Sequence, residues 1–482
     1  MKSAFVAAGV VVVAACAGYL GVAVVSGQKV EKNLRAMSAA APSQWPMVRV
    51  TDERYDRHLF DATHTFTLRA GCDAPDAAAS APHAAITIVQ HVKHGPFPGF
   101  AGFGAATVDT ELVMDAATRQ QVAKFFGTEQ PFQAHTNVAF DGATHTHFAV
   151  VRFHASGPQD EQVDFQGLTG DIDNRDGVLE YDVRVPAVSV AAAASAPEAV
   201  RMSLNGMHLH ARAEGTGDFA LRPGKSQAEV QSFEFVMAAP GTDATHRMDL
   251  TQLKLSQETS IDHNLLNSIG HAEAAGQFDD TKVDKIELQS TMKRFDAATY
   301  QGLVRRIVSS DPAACGKAPD AARLMASQEV QAAVSQMLSA NPEISLDRLV
   351  VDVAGKRAEL RYTIGVDGFT AADAKLPLMA GLMARGYGNL QVNLPEDWVR
   401  KSMTYVAQQS AQRSGQQADG AGDQAALVEL MLGKAIDQGY VVREADMLRS
   451  EVAFKRGRAT INGKPLGGPA AGAADEPPAS AM

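Results

Sequence analysis

The chain has 482 residues, of which 45% are hydrophobic and 21% are charged, and its formal net charge at pH 7 is −11. This length allows about two to four domains, and the composition is typical of a globular chain and too apolar for an intrinsically disordered one. Because a nucleic-acid-binding protein needs a basic face for phosphates, the acidic balance argues against nucleic acid as a partner. Three cysteines are too few for a disulfide scaffold.

The chain opens with a long apolar segment. Residues 4–25 carry no charged or strongly polar side chain. As a helix they would extend about 33 Å, which is enough to cross a bilayer core of roughly 30 Å. The sequence therefore predicts an uncleaved signal anchor over residues 1–28 that forms one transmembrane helix. Two alternatives stay open: a cleaved secretory signal, and a lipoprotein signal in which Cys16, after the permissive lipobox at 13–15, would carry the lipid.

The rest of the chain is expected on one side of the membrane, because no later run approaches the length of a membrane span. Basic residues flank the apolar segment on both sides and do not fix its orientation. We expect the body to be exported, since a single N-terminal anchor commonly delivers the rest of a chain across the membrane. Cys72 and Cys315 are the only cysteines outside the anchor. A disulfide between them and two unpaired thiols are alternatives that both fit an oxidising compartment.

After a predicted linker over residues 29–50, residues 51–295 are predicted to form one large β-rich domain. In residues 201–214, apolar and polar side chains alternate with the period of two that is typical of a half-buried antiparallel strand. The same alternation recurs at 85–92, 107–114, 145–153, 178–185, 231–237, 246–256 and 283–295. Residues 73–83 and 191–198 are rich in Ala and Pro and are predicted to be loop insertions.

Helical spacing begins after residue 295, and residues 296–466 are predicted to form a mixed α+β domain. The predicted helices cover 295–310, 321–340, 395–409 and 423–439, and the predicted strands lie in a hairpin over 344–366 and in the segment 440–466. Residues 467–482 are predicted to be a disordered tail. The predicted fold class is therefore α+β: a large antiparallel β-rich body, a C-terminal mixed α+β region and one N-terminal transmembrane helix.

Two short segments connect this layout with a known family. One follows an apolar strand and consists of His94, Gly95, Pro96, Phe97 and Pro98; the other is residues 461–466, with the sequence INGKPL. Over residues 1–466 the chain resembles the YdgA-like family of bacterial envelope proteins, a family known as a domain of unknown function. The resemblance implies a single-pass protein of the bacterial inner membrane whose bulk lies in the periplasm. It implies no catalytic residues.

The segment from His94 to Pro98 has a structural and a functional interpretation. Two prolines fix φ and remove two backbone donors, while Gly95 permits a tight turn, so the segment is predicted to be a rigid turn that ends a strand. The alternative is a binding loop in which His94 acts as a general base. That role requires a partner carboxylate and a pocket, and the neighbouring sequence supplies neither.

The other candidate ligating residues are histidines and aspartates. His145 with His147, and His208 with His210, would each place two imidazoles on one face of a strand, which is a weak candidate half-site for zinc or copper. The alternative is a pair of solvated histidines on each polar strand face. Asp171, Asp173, Asn174 and Asp176 suggest a calcium loop but lack the full EF-hand spacing, so a polar hairpin turn is predicted there. The sequence predicts no cofactor.

Three functions remain as hypotheses. The sequence contains no Walker loop, GxSxG, HExxH or CxxC motif, so the leading hypothesis is a non-catalytic structural or interaction role in the cell envelope. Its expected partners are the inner membrane, through residues 4–25, and an envelope protein or lipid. The second hypothesis is a lipid- or hydrophobic-ligand-binding module with a groove lined by strands between residues 85 and 256. The third is a metal-dependent hydrolase that uses the His-x-His pairs.

Overall fold

The computed structural model describes residues 22–39, 48–70, 85–100, 102–114, 119, 126, 130–156, 161–192, 200–215, 221–238, 245–309, 327–413 and 421–466. The predictions about residues 4–21, the insertion at 73–83, the three cysteines and the tail at 467–482 lie outside these residues. Within the described part of the chain, no helix combines the length and the apolarity needed to cross a membrane.

The structure confirms an α+β chain that is mostly antiparallel β-sheet. The strands are β1 (Val48–Arg57), β2 (Asp61–Ala70), β3 (Ala85–His94), β4 (Ala106–Val113), β5 (Phe132–Val138), β6 (Thr144–Val150), β7 (Phe153–Ser156), β8 (Gln162–Phe165), β9 (Leu168–Arg175), β10 (Val178–Ala191), β11 (Val200–Glu214), β12 (Gly224–Ala238), β13 (Thr245–Asp262), β14 (Leu265–Phe278), β15 (Thr281–Asp296), β16 (Glu343–Val353), β17 (Lys356–Val366), β18 (Gly386–Pro395), β19 (Val442–Glu444), β20 (Met447–Lys455), β21 (Arg458–Ile461) and β22 (Lys464–Pro465). The helices are α1 (22–39), α2 (Ala297–Ser309), α3 (Gln328–Ser339), α4 (Leu378–Arg385), α5 (Glu396–Arg413) and α6 (Ala421–Asp437).

The chain divides into two compact units. Unit 1 comprises Met1–Asn264, Ala272–Lys282 and Ala297–Val330, and unit 2 comprises Leu265–His271, Val283–Asp296 and Gln331–Met482. The predicted domains are a β-rich part that ends at residue 295 and an α+β part that begins at residue 296. This boundary stays a prediction.

In unit 1, antiparallel pairing joins most strands in chain order. The first six strands lie side by side in chain order, from β1 to β6. Strand β6 then pairs with β9, and the sheet continues through β10, β11, β12 and β13. The long strand β10 pairs with β9 along its first half and with β8 along its second half, and β8 pairs with β7. The turn between β9 and β10 is confined to Asp176 and Gly177, which have positive φ as a type I′ turn requires. The prediction of a turn is wrong for Asp171, Asp173 and Asn174, which lie on β9 and pair with β10.

Helix α1 covers one face of the first strands of this sheet. Its side chains Ala23, Val30 and Leu34 follow helical spacing and are buried, whereas Val25 on another side is 64% exposed. Val30 and Leu34 pack into a core with Ala62 of β2, Val92 of β3, and Ala106 and Val108 of β4. Residues 29–39, within the predicted linker, are therefore helical and packed.

Strands β10 to β13 of unit 1 are long and sparsely buried. The alternation predicted for 201–214 is seen in the second half of β11, where His210 and Arg212 are exposed and the intervening alanines are half-buried. Among the described residues of these four strands, only Val185 and Val230 are buried. The other apolar side chains keep part of their surface open to solvent.

In unit 2, β16 pairs with residues 285–293 of β15 and is followed by β17, β18 and β20 in antiparallel order. Strands β19 and β21 both pair with β20, and β22 pairs with β21. The predicted hairpin over 344–366 corresponds to β16 and β17. A separate small core joins Leu338 of α3 to Val366 and Phe369.

Candidate functional site: a polar cleft beside the His94 turn

The turn that begins at His94 is held against helix α1. The His94 side chain is 2% exposed, and its Nδ1 lies 3.0 Å from the carbonyl oxygen of Ala23, so Nδ1 carries the proton and donates. Its Nε2 is buried with no hydrogen-bond partner among the described atoms. The backbone amide of His94 donates to the oxygen of Phe60 at 2.8 Å. His94 is thus packed beneath the helix, and solvent does not reach it as a general base would require.

Beyond His94 the chain forms a stiff loop that returns into β4. Gly95 has φ of 122°, a value that favours glycine, and its amide donates to Ala105 at 3.0 Å. The Gly104 amide donates to the oxygen of Pro96 at 3.3 Å and closes the loop. Phe100 and Phe103 in this loop are 91% and 75% exposed. The segment after His94 therefore forms a turn at the end of β3, as predicted.

One row of the sheet in unit 1 consists of histidines and aspartates. Strand pairing places one such residue from each of β3, β4, β5, β6, β9, β10 and β11 side by side: His91, Asp109, His135, His147, Asp171, Asp182 and His210. We call this set the polar row. Residues directly opposite in antiparallel strands point to the same face, so these side chains share one surface of the sheet.

Hydrogen bonds between neighbouring strands join members of the polar row. His135 Nδ1 donates to Asp109 Oδ1 at 2.6 Å, and His147 Nδ1 donates to Asp171 Oδ1 at 2.8 Å. Asp182 accepts from His208 Nε2 at 2.8 Å, and His210 Nδ1 lies 4.0 Å from the same carboxylate. The hydrogen bond from His208 is the largest cause that lowers the pKa of Asp182 below its usual value.

A second row lies two residues along the same face. It places Asn137, His145, Asp173, Glu180 and Arg212 on neighbouring strands. His145 Nδ1 donates to Asp173 Oδ1 at 2.9 Å, and Arg212 forms an ion pair with Glu180. The two rows therefore form a network of histidine–carboxylate and arginine–carboxylate pairs.

The second row, together with Asp109 and His135 of the polar row and the loop after His94, lines an open cleft of about 870 Å³. Phe103 of the loop is the aromatic residue of its lining. Closely spaced donors and acceptors beside one aromatic ring fit a polar ligand that exchanges several hydrogen bonds. Asp109, His135 and Glu180 are not predictable from local sequence, because only the strand register brings them to the same cleft as His145.

The structure separates the two His-x-His pairs. His145 and His147 lie on β6, and His208 and His210 lie on β11, with β9 and β10 between them. At the usual spacing of strands the two pairs are about 14 Å apart, too far to share one zinc ion. Among the residues that the structure describes, no group of three or more His, Cys, Asp or Glu side chains is arranged to hold a metal ion. The metal-dependent hydrolase hypothesis thus finds no support in the described residues.

The fold and the cleft define a class: a mostly antiparallel β protein with a polar cleft lined by histidines and carboxylates. The chain belongs to the family described as "Bacterial protein of unknown function (DUF945)", which it matches over residues 1–467. No curated protein and no solved structure matches the chain.

Proposed function

We propose that this chain is a YdgA-like member of its family that is anchored in the bacterial inner membrane by residues 4–25. Its body would lie in the periplasm and have a non-catalytic structural or interaction role in the envelope. The observation that carries the proposal is the position of α1, which continues directly from the apolar segment and packs onto the sheet through Val30 and Leu34. A span joined to its body in this way would hold the body at a fixed place on the membrane.

Polar contacts reinforce this attachment of α1. Arg57 Nη1 donates to Glu31 of the helix at 3.2 Å. Ser38 Oγ donates to Glu53 Oε1 at 2.7 Å, and the same carboxylate oxygen lies 2.9 Å from Nε2 of His64, a side chain with no exposed surface. Because these contacts join two positions of α1 to β1, and Glu53 of β1 is in turn held by His64 of β2, they support a rigid connection between anchor and body.

The cleft is suited to bind a polar partner. His135 and His145 each donate a hydrogen bond through Nδ1 to the carboxylate of a neighbouring strand, which fixes the orientation of both rings. Paired groups of this kind are suited to present a fixed pattern of donors and acceptors to a polar partner.

Fractionation of the full chain in a bacterial cell tests the anchor and its topology. The chain should stay in the membrane after alkaline carbonate extraction, and alkaline phosphatase fused after residue 466 should be active. The variant Cys16→Ser should fractionate in the same way, because the proposed anchor is a helix and not a lipid. Release of the unmodified chain by carbonate, or an inactive fusion that is made in full, would contradict the proposal.

A second candidate function, hydrophobic-ligand binding, is favoured by the open apolar face of the long strands. Leu255 is 42% exposed and Met202 is 37% exposed, although both lie within strands. The test is mass spectrometry of lipids that remain with the full chain after detergent exchange. Leu255→Glu should reduce retained lipid if the face binds it, and Lys254→Glu on the same strand is the matched control. Equal retention by both variants and the parent chain would remove this candidate.

A further inference from the structure

Six exposed apolar side chains lie at one end of the sheet in unit 1. They are placed on the β1–β2, β3–β4 and β5–β6 connections, which an antiparallel sheet brings to the same edge. We call them the aromatic edge: Leu59, Phe60, Phe97, Phe100, Phe103 and Phe140. The most exposed are Phe100, at 91%, and Phe103, at 75%. A contiguous apolar surface of this kind marks an interaction site more often than scattered single residues do.

Three rings of the aromatic edge form a continuous surface. The rings of Phe97 and Phe103 have centroids 5.5 Å apart, and those of Phe103 and Phe140 are 5.1 Å apart. Phe60 adjoins the same loop because its carbonyl oxygen accepts from the His94 amide at 2.8 Å. The β3–β4 and β5–β6 connections therefore present their phenyl rings together, and the β1–β2 connection is hydrogen-bonded to the end of β3 beside them.

The described beginning of α1 lies against this edge. His94 Nδ1 donates to Ala23 at 3.0 Å, and Lys29 Nζ donates to the oxygen of Phe140 at 3.2 Å. A Cβ added at Gly27 would come within 2.8 Å of the His94 ring, so the helix and the loop are in direct contact. These contacts fix the distance between the edge and the helix.

The sequence before α1 indicates what the edge would meet. Residues 4–21 are uninterruptedly apolar and lead directly to Val22. If residues 4–25 span a bilayer, Ala23 lies in the last turn of that span, and the loop that contacts Ala23 lies at the level of the lipid headgroups. Phe and Leu side chains on interfacial segments bury in the boundary between headgroups and acyl chains.

We propose that the aromatic edge inserts into the phospholipid surface of the membrane that anchors the chain. This inference rests on the proposed function, because the anchor brings the edge to the bilayer. The anchor also favours lipid over a soluble protein as the occupant, since tethering makes the contact intramolecular in effect. The exposed side chains of Lys29 and Lys93 lie beside the edge, where anionic headgroups would attract them. The body would then be held against the membrane by two separate elements, the span and the edge.

The test is quenching of an introduced indole by brominated lipid. The full chain is reconstituted into vesicles of phosphatidylethanolamine and phosphatidylglycerol, with or without bromine on the acyl chains near the headgroups. Phe100→Trp should lose emission in the brominated vesicles beyond the loss shown by the parent chain, whose own tryptophans are Trp45 and Trp398. Phe278→Trp is the matched control, because Phe278 is 52% exposed but packs on His246 at the opposite end of the strands.

The outcomes separate the edge from the anchor. Extra quenching of Phe100→Trp alone supports insertion; no extra quenching, or equal quenching of Phe278→Trp, overturns it. Carbonate extraction of the same vesicles reports on the anchor. If the chain resists extraction but shows no extra quenching, the proposed anchor is supported and the insertion of the aromatic edge is contradicted. If the chain is extracted, the proposed anchor is contradicted whatever the quenching result. If Phe100→Trp does not fold, as judged by circular dichroism, Phe103→Trp takes its place.

Discussion

The strands beneath α1 and the long strands β10 to β13 belong to one antiparallel sheet in unit 1 but differ in how they are covered. Beneath α1, side chains such as Val92 and His64 are almost completely buried. On β10 to β13, most apolar side chains among the described residues are only half-buried, and Val185 and Val230 are the exceptions. Both regions have the same alternating sequence pattern. The difference shows that alternation determines the face of a side chain, while a covering element determines whether that face becomes a core.

The same comparison applies to pairs of histidine and carboxylate. The His64–Glu53 pair lies beneath α1, and His64 also contacts Gln90 at 2.8 Å. The His135–Asp109 pair has similar geometry, but both side chains are about half exposed. A buried polar group that loses its partner costs much more free energy than an exposed one. Substitution of the histidine in each pair should therefore lower the free energy of unfolding more beneath α1 than on the exposed part of the sheet.

The largest expected effect is at His64. His64→Ala would leave a cavity between Tyr55 and Phe66 and remove the partner of Glu53 and Gln90, so it should lower the free energy of unfolding by about 3 kcal/mol. The thermal unfolding midpoint of the full chain in detergent should fall by roughly 4 °C.

The matched substitution is His135→Ala, which should cost only about 0.5 kcal/mol, because exposed pairs of charged side chains contribute little. Equal losses at His64 and His135 would show that the cover of α1 does not distinguish the two pairs.

A second prediction tests the contact between α1 and the loop after β3. A side chain at Gly27 would collide with the buried ring of His94, so Gly27→Leu should lower the free energy of unfolding by about 2 kcal/mol. Gly433 in α6 has open space around the position of a Cβ. Gly433→Leu should raise stability by about 0.5 kcal/mol, since leucine favours a helix more than glycine does. A stable Gly27→Leu chain with an unchanged melting midpoint would argue that α1 is not seated on His94.

A third prediction examines the open strands. Val230 is 5% exposed and Leu255 is 42% exposed. Val230→Ala should cost about 1.5 kcal/mol, and Leu255→Ala should cost less than about 0.5 kcal/mol. Urea denaturation of the full chain, followed by circular dichroism, gives both values. If Leu255→Ala costs as much as Val230→Ala, the face of β13 is covered and the comparison between the two regions does not hold.

The elements that local sequence determines were predictable. The polar hairpin turn predicted around Asp176 is one such element: Asp176 and Gly177 have positive φ, because glycine and its short polar neighbours tolerate that conformation. Helices α2, α5 and α6 begin within two residues of the predicted starts at 295, 395 and 423. In each case the signal is carried by residues close together in the sequence.

Contacts between distant residues were not predictable. The hydrogen bond from His94 to Ala23 joins residues 71 positions apart, and nothing in either local sequence indicates it. The polar row depends on the register of several strands, and a shift of one residue in any strand would turn its histidine or aspartate to the other face. The His-x-His spacing identified two pairs, but only the register shows that Asp171 and Asp182 lie between them.

The smallest expected effect concerns Asp182 at acidic pH. The hydrogen bond from His208 lowers the pKa of Asp182 in the folded chain, so the ionised carboxylate stabilises the fold above the pKa of an unfolded aspartate, about 3.9. This contribution is lost as the pH falls through the lower pKa of the folded state. The parent chain should therefore lose more stability than Asp182→Asn between pH 5 and pH 3, taken as about the span of that titration.

Because His208 is the main cause of the shift, removing it should have the same consequence as removing the carboxylate charge. His208→Gln should lose less stability than the parent chain over the acidic range, and the double variant with Asp182→Asn should add nothing further. Thermal melting of the full chain at each pH measures the difference, with the other carboxylates contributing equally to every variant. An acid loss in His208→Gln as large as that of the parent would show that the half-buried His208–Asp182 pair on the open strands is not coupled, in contrast to the His64–Glu53 pair beneath α1.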